Sequence, residues 1–182
     1  LPDLRGTARQ TPDDIRRGVY LGFDEQNVYL RVDLREGMRA TDLLGRGFRL
    51  HVYATTPGEE GGAAFPEGSR ASLGFPLQQR IALDLDQVRD GEAVLVRYAY
   101  RDGAWVLATS PADLRGRRAY VGEVVEMRLP YTTLKAGPGD TLRLAVVLER
   151  HGRVVAAAPD AHPLALSLPQ RLAGTEALAL PD

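Results

Sequence analysis

Three pairs of acidic residues stand close enough in sequence to act together: Asp24 with Glu25, Asp84 with Asp86, and Glu123 with Glu126. Hydrolysis of a glycosidic bond needs two carboxyl groups facing each other across a cleft, ~5 to 9.5 Å apart according to mechanism. Asp84 and Asp86 point to one side of a single expected strand, but near its end, where solvated carboxylates are ordinary. None of the pairs is therefore expected to be catalytic. Asp24 or Asp86 with loop carbonyls could hold calcium, a hard cation that takes oxygen ligands. The three histidines, His51, His151 and His162, lack the spacing of metal ligands. Haem would need axial partners such as Met with His, and Met127 reads as core and Met38 as loop. Ser, His and Asp occur without a nucleophile elbow, and Gly61-Gly62 has no phosphate-loop context. Calcium aside, no cofactor is expected. The absence of cysteine excludes disulfides, thiolate metal sites and a cysteine nucleophile together.

Sugar recognition asks for something else: a flat apolar ring for the C–H faces and polar groups for the hydroxyls. Tyr20, Tyr29, Arg31 and Asp33 share the non-core side of one expected hairpin, and Arg49, His51 and Tyr53 lie on the outward side of a later strand. Trp105 follows a tight turn. These eight residues are the candidate carbohydrate ligands. Each has a plainer alternative, since a Tyr opposite a cross-strand Gly shields backbone, and a second layer or a neighbouring domain can cover the face. Trp105 equally folds back onto a core, where its N–H finds a carbonyl.

The elements that must position these groups are strands. Val19, Leu21 and Phe23 alternate before a four-residue polar turn, and Val28, Leu30, Val32 and Leu34 alternate after it, which predicts an antiparallel hairpin. In that register Gly22 lies opposite Tyr29 and Tyr20 opposite Arg31. Met38, Leu43 and Leu44 suit a short helical turn or loop packed on the sandwich edge. Phe48, Leu50, Val52 and Ala54 then face inward. Residues 56–75 form a Gly/Pro/Ser-rich loop of about 20 residues, a length that is either functional or disordered. Strands are expected at 80–86, at 93–101, and, after an Asp102-Gly103 turn, at 104–107. An arginine-rich loop covers 111–118. Val125, Met127 and Leu129 face inward until Pro130 ends their strand. Leu142, Leu144, Val146 and Leu148 point inward in the clearest strand, with Arg143, Ala145, Val147 and Glu149 outward. His151-Gly152 turns the chain into 153–157, and Leu164, Leu166 and Leu168 make the last strand. Nine or ten short strands without a long helix predict an all-β, antiparallel β-sandwich with long loops over 19–168, preceded by a linker at 1–18 and followed by a tail at 169–182.

A chain of 182 residues with 44% hydrophobic and 26% charged residues suits one globular domain. Its net charge of −1 offers no basic field, so neither nucleic acid nor membrane is an expected partner. Lys135 is the sole lysine, and the arginine excess reads as genome composition. No apolar run approaches the ~20 residues of a membrane span. Lack of cysteine leaves the compartment open, with the cytoplasm slightly favoured. The chain starts Leu-Pro-Asp, which suits a module from a longer polypeptide.

Tyr20-Leu-Gly-Phe-Asp-Glu-Gln-Asn-Val-Tyr-Leu-Arg-Val-Asp33 resembles the "φ-G-F-D-E-x-N-L-Y-L-R-φ-D" hairpin in the carboxyl-terminal region of some family 57 glycoside hydrolases. A looser form opens sandwiches of the DOMON-like and family 9 carbohydrate-binding type. Val125-Glu-Met-Arg-Leu-Pro-Tyr-Thr-Thr-Leu134 followed by Gly139-Asp-Thr-Leu-Arg-Leu-Ala-Val146 is similar to their later half, "E-x-x-I-P-F-x-x-L" before "G-D-x-L-x-F". The resemblance implies a non-catalytic accessory domain beside the catalytic domain of the same polypeptide, touching α-glucan oligosaccharide or polysaccharide. The alternative is a purely structural domain that packs on and stabilises its catalytic neighbour. Family 9 modules clamp a sugar between two tryptophans, and Trp105 alone cannot supply that clamp.

Overall fold

The computed structural model describes residues 16–67, 69, 71–108, 118–158, 163–168 and 170. Almost all of the expected linker and tail, the arginine-rich loop up to its last residue, and His162 lie outside the described residues. Twelve strands are described: β1 (Arg16–Phe23), β2 (Asn27–Leu34), β3 (Phe48–Ala54), β4 (Gln79–Asp84), β5 (Glu92–Ala93), β6 (Leu95–Arg101), β7 (Ala104–Leu107), β8 (Arg118–Val121), β9 (Val125–Pro130), β10 (Thr141–Arg150), β11 (Arg153–Ala158) and β12 (Leu164–Ser167). They form an all-β sandwich of two antiparallel sheets. One sheet runs β1-β2-β9-β8-β5; the other runs β11-β10-β3-β4-β6-β7, with β12 also paired to β10.

Alternation decides what lies between the sheets. Val28, Leu30, Val32 and Leu34 of β2 meet Leu50, Val52, Ile81, Leu83, Leu142, Leu144 and Val146 of the other sheet in one buried cluster. Each such Val or Leu contributes about 1.5–3 kcal/mol by leaving water. Gln79 also points inward, and its Nε2 donates to Thr56 Oγ1 at 2.8 Å and to the Leu134 carbonyl at 2.7 Å, so both donors of this buried amide have partners. A short 3-10 turn at Ala40–Leu43 docks on the β8–β9 turn through Ala40 N–H to the Glu123 carbonyl and Thr41 N–H to the Gly122 carbonyl.

Three expectations change. The run 93–101 is not one strand, because the chain leaves the first sheet after Ala93 and joins the second at Leu95. The strand expected over 80–86 stops at Asp84, whose carboxylate accepts the Asp86 N–H at 3.0 Å and turns the chain into a 3-10 turn. The loop at 56–75 is ordered over most of its length and roofs the outer face of the second sheet. A bridge between Ala63 and Leu77 clips its middle to the chain that follows it. Its root is fixed by Gln78, which accepts from Thr56 N–H at 2.6 Å and donates to the Glu59 carbonyl at 2.7 Å. Beneath this strap Tyr53, Leu73, Phe75, Leu77, Ala145 and Val147 form a second apolar cluster, with Tyr100 and Trp105 at its margin. No helix among the described residues is long and apolar enough to cross a membrane.

Candidate functional site

The outer face of the first sheet is the site that the hairpin builds. The register is the expected one, Tyr20 opposite Arg31 and Gly22 opposite Tyr29. The turn is organised by Asp24, whose Oδ1 accepts the N–H groups of Gln26 and Asn27, both at 2.7 Å, and whose Oδ2 accepts the Tyr29 hydroxyl at 2.7 Å. The Tyr29 hydroxyl, chiefly, holds the Asp24 carboxyl down at about 2, and the same bond pushes the Tyr29 phenol up. Tyr131 anchors the turn from below by donating to the Asp24 carbonyl. Arg31 grips Asp33 in a bidentate pair, Nε to Oδ1 at 2.6 Å and a terminal nitrogen to Oδ2 at 3.2 Å. Its guanidinium carbon also lies 5.9 Å from the centre of the Tyr20 ring.

Neighbouring strands extend this face. Tyr29 is opposite Arg128 and Arg31 opposite Glu126 on β9, and Glu126 is opposite Tyr120 on β8. Tyr20, Tyr29 and Tyr120 are 37%, 40% and 52% exposed. Sequence reasoning missed Tyr120, Glu126 and Arg128 as members of the face, because β8 is only four residues long and follows an arginine-rich stretch. The signal was there in Arg118-Ala-Tyr-Val121, two outward residues alternating with two inward ones.

The other four candidate ligands are elsewhere. Arg49, His51, Tyr53 and Trp105 lie on the outer face of the second sheet, so the eight residues do not form one site. His51 and Tyr53 face outward as expected, but at 4% and 1% exposure they are covered, a correction to their expected role as open sugar ligands. For Tyr53 the cause is the strap: it accepts the Glu67 N–H through its hydroxyl at 3.1 Å and packs edge-on to Trp105 at 5.6 Å between ring centres. Burial pushes its phenol up to about 12. Beside it Arg80 pairs with Glu67 and stacks 4.1 Å from the Tyr98 ring centre and 5.3 Å from that of Trp105. Trp105 packs at the margin of this second buried cluster and not on the core between the sheets.

A polar hollow of roughly 610 Å³ is bordered by Gly47, Arg49, Asp84, Asp86, Glu149 and His151. Its carboxylates serve the fold. Asp84 pairs with Arg49 at 3.3 Å, and Asp86 accepts the Gly47 N–H at 3.3 Å. Glu149 meets His51 Nε2 at 3.2 Å and accepts the Gly152 N–H at 3.2 Å, tying β3 to the β10–β11 turn. Among the described residues no group of three or more His, Asp or Glu is arranged to hold a metal ion. Asp24, one of the two expected calcium ligands, already accepts the hydrogen bonds of its own turn.

The His51 contact, foremost, holds the Glu149 carboxyl below its ordinary 4.5, against the opposing effect of burial. A carboxyl depressed in the folded state stabilises above its unfolded pKa, and this stabilisation disappears as pH falls through the folded value. The stability advantage of wild type over Glu149→Gln should therefore be full at pH 7 and shrink below about pH 4.5 in urea titrations. An advantage independent of pH would remove the charge from this account.

Compared with known proteins, the chain matches no family model and no curated protein.

Proposed function

We propose that this chain is a non-catalytic accessory module that binds carbohydrate on the outer face of its five-stranded sheet, within a polypeptide that carries a family 57-like α-glucan hydrolase domain. One observation carries the reading: three exposed tyrosines share a face interleaved with Arg31, Asp33, Glu126 and Arg128, whereas the strap roofs much of the opposite outer face. Rings with polar neighbours are the chemistry that sugars require, apolar faces for C–H groups and fixed donors and acceptors for hydroxyls. The resemblance supports the same face. Its first stretch and the first part of its second pair side by side as β2 and β9, and both tyrosines of the first stand on the exposed side. The acidic pairs have structural employment in this reading, Asp24 in its turn and Asp84 and Asp86 around Arg49 and Gly47.

Native affinity gels containing glycogen or soluble starch test the proposal directly. The 182-residue chain is expected to be retarded, and Tyr20→Ala to be retarded less. Unretarded migration of the wild type on every neutral polysaccharide overturns it. In that case a fall in the parent enzyme's Tm on deletion of this domain would favour the purely structural role.

A further inference from the structure

Two of the three tyrosines are seated on glycine in a way that the third is not. A Cβ at Gly18 would come within 3.2 Å of Cε2 and of the hydroxyl of Tyr20, so that ring lies down on bare backbone. The Tyr120 ring is wedged between two glycines: a Cβ at Gly91 would approach Cε2 to 2.5 Å, and one at Gly122 would approach Cε1 to 2.9 Å. Only glycine at these positions lets the rings approach the backbone so closely, and Tyr20 and Tyr120 are still 37% and 52% exposed. Tyr29 differs, since its hydroxyl is held by Asp24 and Gly22 meets only its Cβ.

The two seated rings belong to one line across the sheet. Register places Tyr20, Arg31, Glu126 and Tyr120 directly opposite one another on β1, β2, β9 and β8. Three interstrand spacings, ~14 Å, separate the backbone positions that carry the rings, with a cationic donor and an anionic acceptor between them. Resting on the carbohydrate reading above, we propose that Tyr20 and Tyr120 are the two stacking platforms of a single subsite row that takes an extended neutral glycan laid across the strands, its middle sugars over Arg31 and Glu126. Charges of both signs interleave along the row, which suits uncharged hydroxyls better than an anionic or cationic chain. Arg31 is already fixed by Asp33, so little side-chain freedom is lost when it donates to a hydroxyl.

The consequence is a threshold in chain length. A disaccharide reaches one ring, whereas a chain long enough to reach both gains the second contact intramolecularly. Titration of the 182-residue chain with α-1,4- and β-1,4-linked glucose oligomers of two to seven units is expected to show affinity rising about tenfold or more between the short and the long members of one series. Tyr120→Ala and Tyr20→Ala should each lower affinity for the long oligomer about five- to tenfold and abolish the length dependence. Gly122→Ala keeps the Tyr120 ring but lifts it from its seat, and should lower long-chain affinity with little effect on the dimer.

Affinity equal across chain lengths, or unchanged in Tyr120→Ala, overturns this row while retention in the polysaccharide gels leaves the broader reading standing. Concentration-dependent dimerisation in light scattering that Tyr120→Ala abolishes would make a second copy of the chain the occupant, and also overturns it.

Discussion

Tyr53→Ala is expected to lower the unfolding free energy by about 3–5 kcal/mol, the range for removing a buried aromatic side chain, and Tm by on the order of 10 °C. The sequence placed Tyr53 among sugar ligands, and the structure makes it the keystone of the cluster under the strap. Its ring meets Trp105 and His51 at 5.6 and 6.0 Å between centres, and its hydroxyl receives the Glu67 N–H. Truncation to Ala would leave a hole bounded by Phe75, Leu77, Ala145 and Val147, which cannot close without moving the strap. Tyr53→Phe separates the two roles, because it keeps the ring and loses the acceptor, at about 1 kcal/mol. Urea denaturation of both variants checks the order. Near-native stability of Tyr53→Ala would show that the strap does not seal this face. Retention on neutral polysaccharide should survive in folded Tyr53→Phe, since the proposed row lies on the opposite sheet.

The hairpin was legible because turn chemistry and alternation agree there: Asp24 to Asn27 are turn residues, and a single register buries Val28, Leu30, Val32 and Leu34 together. The roof over the second sheet was harder to read. Alternation in β10 separates Leu144, Val146 and Leu148 from Ala145 and Val147, yet all five are buried. A period of two reports which sheet face a residue is on, and says nothing about what covers that face. The unbroken apolar run from Leu144 to Leu148 was the available sign of burial on both sides, and the Gly/Pro-rich stretch that covers it has no period of its own. Tyr120 was lost for a different reason. Its strand is short, and the glycines that seat its ring, Gly91 and Gly122, come from two turns, one of them distant in sequence.

Gly62→Ala should release the strap. Gly62 has φ +137°, outside the regions open to L residues, and a Cβ there would stand 3.0 Å from both the backbone nitrogen and the carbonyl oxygen of Leu77. Backbone cannot swing aside as a side-chain tip can. The clash falls on the clip itself, where Ala63 N–H donates to the Leu77 carbonyl at 2.8 Å and Leu77 N–H donates to the Ala63 carbonyl at 3.0 Å. Strain of about 1–3 kcal/mol is expected, shed by opening the bridge and exposing Leu73, Phe75 and Tyr53. Gly61→Ala is the matched control: its φ of +76° is also left-handed, but a Cβ there meets nothing within 4 Å. Hydrogen exchange at the Ala63 and Leu77 amides should accelerate in Gly62→Ala far more than in Gly61→Ala, with a red shift of Trp105 fluorescence as its neighbour Tyr53 becomes wet. Equal exchange in the two variants would mean that the clip does not hold the strap, and that the buried state of Tyr53 depends on Gln78 and the Glu67–Arg80 pair instead.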